Sequence, residues 1–106
     1  MEKIMMTSKY FNMGTVVVTN GIKEAMAESN LFKLEVFYAL DGYSNKNWGL
    51  LCEEDQKTNE DALRYPEDLY LLGAYQTSKG EIDIITNRKS EIAGDNCTTV
   101  LFPDER

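Results

Sequence analysis

The apolar pattern of this chain changes period at Pro66, and that change limits the folds open to it. Upstream, after one β-branched run at residues 15–19, apolar residues recur every three or four positions, as on the face of a helix; downstream they alternate or run continuously, as in strands. The residue before a proline disfavours helical backbone, so the switch falls at a physical boundary. Helices and strands confined to separate stretches give an α+β domain rather than a doubly wound α/β one. At 106 residues, 42% of them hydrophobic, the chain has material for one domain around one core.

In chain order, residues 1–13 are expected to be a partly ordered lead-in and residues 14–106 the single domain. Residues 15–19, TVVVT, form a β-branched run of strand length. Asn20 is placed as the N-cap of a short helix with Ile22, Ala25 and Met26 on its apolar face. Ser29 and Asn30 open a second helix with two apolar stripes. One holds Leu31, Leu34 and Phe37/Tyr38; the other holds Phe32, Val36 and Leu40. So wide an arc predicts a helix covered by protein on most sides, ending near Gly42. A third helix is expected over residues 49–64. Strands follow at residues 68–75, with Gly73 marking a bulge or close approach, at 81–86 after a turn over 77–80, and at 97–102. The predicted order β-α-α-α-β-β-β makes an antiparallel sheet of about four strands with the helices on one face. Phe102-Pro-Asp-Glu105 then reads as a proline-terminated sheet edge.

Charge narrows the function. Net charge is -7. Residues 53–68 carry seven acids against Lys57 and Arg64, which is five of those seven net charges. Binding to bare nucleic acid rests on neutralising phosphates, so no direct nucleic-acid partner is expected. The acids Glu53, Glu54, Glu60, Asp61, Glu67 and Asp68 form a candidate partner-binding face for a basic, nucleic-acid-binding host protein. Glu53–Lys57 and Glu60–Arg64 have the spacing of intrahelical ion pairs.

The chain has no histidine, which removes Ser-His and Cys-His nucleophile pairs and histidine metal sites. We therefore expect a non-enzymatic, cofactor-free protein with no metal site. Cys52 and Cys97 match no metal-binding spacing and read as two buried, reduced thiols of a cytoplasmic protein, with a disulfide between them as the alternative. No apolar run reaches the roughly 20 residues of a membrane span. A second candidate site groups Trp48, Asp55 and Asn59 on one helical face, with Arg88 beside them as the basic end of a polar loop. Such a group can line a small polar pocket, or simply fix helix against sheet. One carboxylate and one amide are too few ligands for a metal ion. A homodimer with a structural or regulatory role is a third reading.

The segments TSKYFNMGTVVVTNGI, NWGLLCEED with NEDAL, and IITNR with TTVLFPDE resemble one group of small proteins. These occur in Gram-positive bacteria and in their plasmids, phages and integrative elements. They carry descriptions such as "type I restriction endonuclease subunit M" or "plasmid-related protein". The resemblance spans residues 8–105, and the layout is also similar to a second small α+β family of the same bacteria. This sequence departs from the group over residues 89–96, where members have a tighter link between the arginine and the TT strand. A DNA-methylating subunit needs a cofactor pocket and a base-binding motif that this chain lacks. The resemblance therefore implies a mobile-element accessory protein, with anti-restriction and anti-CRISPR proteins as analogues.

Overall fold

The computed structural model describes residues 2–64, 70–87 and 96–106. The elements run β1 (Glu2–Ile4), β2 (Thr15–Val18), α1 (Asn20–Glu28), α2 (Asn30–Ser44), α3 (Glu53–Arg64), β3 (Tyr70–Thr77), β4 (Gly80–Asn87) and β5 (Cys97–Leu101). A short 3-10 turn, Pro103–Glu105, follows. The fold is α+β, as the change of period at Pro66 predicts.

The strands form one five-stranded sheet in the order β1-β2-β5-β4-β3. The last three strands make the expected antiparallel meander. The sheet as a whole is mixed, because β2 runs parallel to β5, with Val16 opposite Thr98 and Val18 opposite Val100. A crossover containing all three helices separates β2 from β3, which leaves β2 free to enter the sheet beside β5 in that sense. β5 is therefore the central strand, and the stretch after it is no sheet edge.

The lead-in also does more than its sequence signals. Glu2–Ile4 pairs antiparallel with β2 as a fifth strand, and Met13 is buried in the core. Gly14, expected as the start of the domain, is thus an internal bend. The Thr98 hydroxyl donates to the Met13 carbonyl at 2.7 Å and so must accept from Thr86, also at 2.7 Å. Thr86 in turn accepts from the Tyr43 hydroxyl at 2.8 Å. Each hydroxyl has one proton to give, so this buried chain has a single direction, from α2 through β4 and β5 to the lead-in.

One face of the sheet presents Val16, Val18, Val100, Ile84, Ile82 and Leu71, and α1 and α2 cover it with Ile22, Phe32, Val36, Leu40 and Tyr43. Full burial of each large apolar side chain stabilises the fold by roughly 1.5–3 kcal/mol. Phe11 meets the Tyr43 ring edge-on at 5.6 Å, and Trp48 does so at 5.4 Å. Helix ends differ slightly from expectation. Thr19, not Asn20, caps α1, its hydroxyl accepting from Ile22 N–H. Ser29 caps α2 as expected, but α2 continues past Gly42 to Ser44, closed by Asn45.

The end of the chain is clasped to the body. The Glu105 carboxylate accepts from the Thr19 hydroxyl and from Phe102 N–H, both at 2.8 Å. Arg106 donates to the buried Asp83 carboxylate on the other face of the sheet at 2.6 Å. At the β3–β4 hairpin tip, Glu35 of α2 accepts from the Ser78 N–H and hydroxyl, and Lys79 pairs with Glu28 of α1.

Candidate functional site

The third helix begins at Glu53, four residues later than its apolar spacing predicts. Gly49 adopts φ +74°, a left-handed conformation that interrupts a helix and suits glycine. The stretch from Trp48 to Leu50 runs along the outer edge of β3. Ala74 N–H donates to the Trp48 carbonyl, and Leu50 N–H donates to the Ala74 carbonyl. Gly49 lies so close to Ala74 that a Cβ there would stand 1.9 Å from its carbonyl oxygen. Trp48 is therefore a core residue before the helix, not part of the face shared by Asp55 and Asn59.

Asn59 does fix helix to sheet. Its Nδ2 donates to the Leu72 carbonyl at 2.7 Å, and Leu72 N–H donates to its Oδ1 at 3.2 Å. Asn59 is buried, whereas Asp55, four residues earlier, stands in solvent. The two residues do not converge on a pocket: one amide gives a donor and an acceptor to the backbone and one carboxylate faces water. Arg88 lies outside the described residues, as do Glu67 and Asp68.

The acidic face is placed as the sequence suggests for its helical members. Glu53, Glu54 and Asp55 fill the first turn of α3, where the positive end of the helix dipole favours acids. These three, with Glu60 and Asp61, are all exposed. Among the described residues the ion pairs are Lys79–Glu28 and Arg106–Asp83, so neither Glu53–Lys57 nor Glu60–Arg64 closes. Exposed pairs of this type are worth about 0–1 kcal/mol, too little to hold two long side chains together. Glu60 alone of the five carboxylates has a side-chain donor, Trp48 Nε1 at 3.4 Å. Among the described residues, no group of three or more His, Cys, Asp or Glu could hold a metal ion.

Two further expectations change. Cys52 is exposed and Cys97 half-buried, both as free thiols rather than buried ones. Cys52 sits at the junction between the edge segment and α3, where no core covers it. On α2, the stripe of Phe32, Val36 and Leu40 packs inward, but Leu31, Leu34 and Tyr38 are 60%, 68% and 83% exposed. Leu50 is also exposed. Leu34, Tyr38, Leu50 and Tyr75 line a groove of about 430 Å³ between α2 and the β3 edge. The signal for this surface was present in the double stripe: a helix apolar on two sides needs a second cover, and the described residues supply only one.

No helix among the described residues is long and apolar enough to cross a membrane. No protein-family model, no curated protein and no solved structure matches this chain.

Proposed function

We propose that this chain is a non-catalytic, acidic protein-binding module whose target is a basic, nucleic-acid-handling protein. One observation carries the reading: Glu53, Glu54, Asp55, Glu60 and Asp61 all stand in solvent on one anchored helix, with no base in ion-pair contact among the described residues. Unneutralised carboxylates on a fixed scaffold offer a basic surface complementary charge without the ordering cost of a flexible tail. The resemblance to accessory proteins of mobile elements suggests an inhibitor or decoy, a protein that occupies a host defence protein where nucleic acid would bind. A pocket at Asp55 and Asn59 has less support, since the buried Asn59 amide is bonded to the Leu72 backbone while Asp55 stands in solvent.

The test is retention of proteins from nuclease-treated bacterial lysate. Wild type is compared with a variant carrying Glu53→Gln, Glu54→Gln, Glu60→Gln and Asp61→Gln. The expected result is a DNA- or RNA-binding protein held by wild type, displaced by excess duplex DNA and absent from the variant. Identical retention by both proteins would make the acidic face a solvated surface only.

A further inference from the structure

The exposed apolar residues of α2 and the edge segment are not scattered. Leu34 and Tyr38, one turn apart on α2, line one groove with Leu50, and Leu31, also exposed, lies one turn before Leu34 outside the groove lining. Single exposed apolar side chains are ordinary on a protein surface, but a contiguous set around a groove marks an interaction site. The volume, about 430 Å³, is enough to receive several side chains of a partner.

The charge around the groove selects the occupant. Glu35 lines it. Asp41 lies one turn beyond Tyr38 on α2, and Glu53 and Glu54 follow Leu50 by three and four residues. That separation is at most about 11 and 15 Å along the chain. Asp41, Glu53 and Glu54 are exposed and form no ion pair among the described residues. Of the other bases, Lys79 is paired with Glu28, Lys46 lies over the Tyr10 ring and Lys33 lines a different cavity; Lys57, one turn after Glu53 on α3, is exposed and forms no ion pair among the described residues, so the acids outnumber the single free base beside them. A second copy of a chain with net charge -7 would bring like charge to this rim.

We infer that the groove between α2 and the 49–50 segment receives a basic amphipathic helix of the partner. Its apolar residues, at i, i+3 or i+4 and i+7, seat against Leu34, Tyr38 and Leu50. Its lysines and arginines meet Asp41, Glu53 and Glu54. This is the helix-in-groove mode of recognition, with acids at the rim providing orientation and rate. The inference rests on the proposed protein-binding function and adds the chemistry of the contact: charge brings the partner in, and the α2 groove holds it.

The experiment uses the full chain and two labelled peptides of identical composition, one a Lys/Leu amphipathic helix and one its scrambled, non-amphipathic counterpart. Binding is followed by fluorescence anisotropy between about 50 and 300 mM salt. Three variants are compared with wild type: Leu34→Asp with Tyr38→Asp, the milder Tyr38→Ala, and the four-glutamine variant. Circular dichroism checks that each is folded. The expected result is saturable 1:1 binding of the amphipathic peptide and at least tenfold weaker binding of the scrambled one. The double aspartate variant loses at least tenfold in affinity at every salt concentration, Tyr38→Ala loses severalfold, and the four-glutamine variant shows a flatter salt dependence. If both peptides bind alike and only the glutamine variant loses affinity, the groove inference is overturned while the acidic module stands. If the glutamine variant also binds like wild type, or neither peptide binds, both are overturned. Should wild type sediment as a dimer that Leu34→Asp dissolves, the occupant is a second copy and the inference again falls.

Discussion

A single side-chain amide, that of Asn59, stands against Leu72 where a sixth strand would pair. It gives a donor and an acceptor to the backbone groups that an outer β-strand leaves open. With Trp48 and Leu50 doing the same for Ala74, the outer edge of β3 is covered without another strand. Uncovered edges invite pairing with other chains, so this edge is protected against self-association. The arrangement also fixes the bearing of α3, and with it the acidic face.

Asn59→Ala is expected to destabilise the domain by about 2 kcal/mol, because two hydrogen bonds vanish and the Leu72 backbone loses its partners. Urea unfolding measures the loss. Amide exchange should accelerate first along α3, ahead of β4 and β5.

Gly73→Ala is expected to cost about 1–3 kcal/mol by overpacking. An added Cβ would lie 2.7 Å from Tyr75 Oη and 2.8 Å from Tyr43 Cδ1, and Tyr43 is fixed in the core. Thermal unfolding checks the cost. A Tyr75→Phe background should recover part of it, since the nearest of the three close atoms is then gone while Tyr75 Cε2, at 2.9 Å, remains.

Tyr43→Phe removes the head of the buried hydroxyl chain and should cost about 1–2 kcal/mol. Burial pushes the Tyr43 phenol above the ordinary tyrosine range, against a smaller opposing effect of its bond to Thr86. Burial does the same for Tyr75, reinforced by Tyr43. A raised folded-state value means stability that is complete below the unfolded value, about 10, and lost as pH rises beyond it. Unfolding curves between pH 9 and about 12 should therefore show falling stability, with a shallower fall for Tyr43→Phe. Equal slopes would count against burial of the phenol.

Glu81→Gln should stabilise the protein slightly at neutral pH. Desolvation, the nearby charge of Asp83 and a hydrogen bond to it raise the Glu81 carboxyl, while Arg106 opposes the rise. The raised value makes Glu81 favourable to folding below the unfolded carboxylate range and progressively less so as pH climbs through it. Glu81 is exposed, so the gain at pH 7 is at most a few tenths of a kcal/mol. It should disappear near pH 3, where Glu81 is protonated in either state. Paired thermal melts at the two pH values test the sign.

Much of the fold was legible because its signals are local. The β-branched TVVV run, the Ser29 cap, the turn ending at Gly80 and the alternation of Ile82 and Ile84 each report their own conformation. What local pattern did not carry was pairing. Nothing in CTTVL says that it will lie between β2 and β4, and nothing in the methionine-rich start of the chain marks Glu2–Ile4 as a strand. The start of α3 was misplaced because Trp48, Leu51 and Cys52 keep helical spacing, while the bonds to Ala74 and the left-handed Gly49 decide otherwise. At the candidate site, composition revealed the acidic face. The groove stayed hidden because two apolar stripes on one helix look the same in sequence whether or not both are covered. Asn59 was visible as a polar residue among apolar ones, but its partner is backbone, which leaves no mark in sequence.

The position of β5 has a consequence for how this protein comes into being. The strand at the centre of the sheet is the last of the five along the chain. The stretch from Val18 to its central neighbour takes on the order of ten seconds to synthesise at about 5–20 residues per second. Until β5 is made, the β1–β2 pair and the later β3–β4 hairpin have no common scaffold, and the apolar faces of α1 and α2 have no complete sheet to rest on. Assembly on the ribosome is therefore held back until β5 has emerged, and the nascent helices are exposed to chaperones until then.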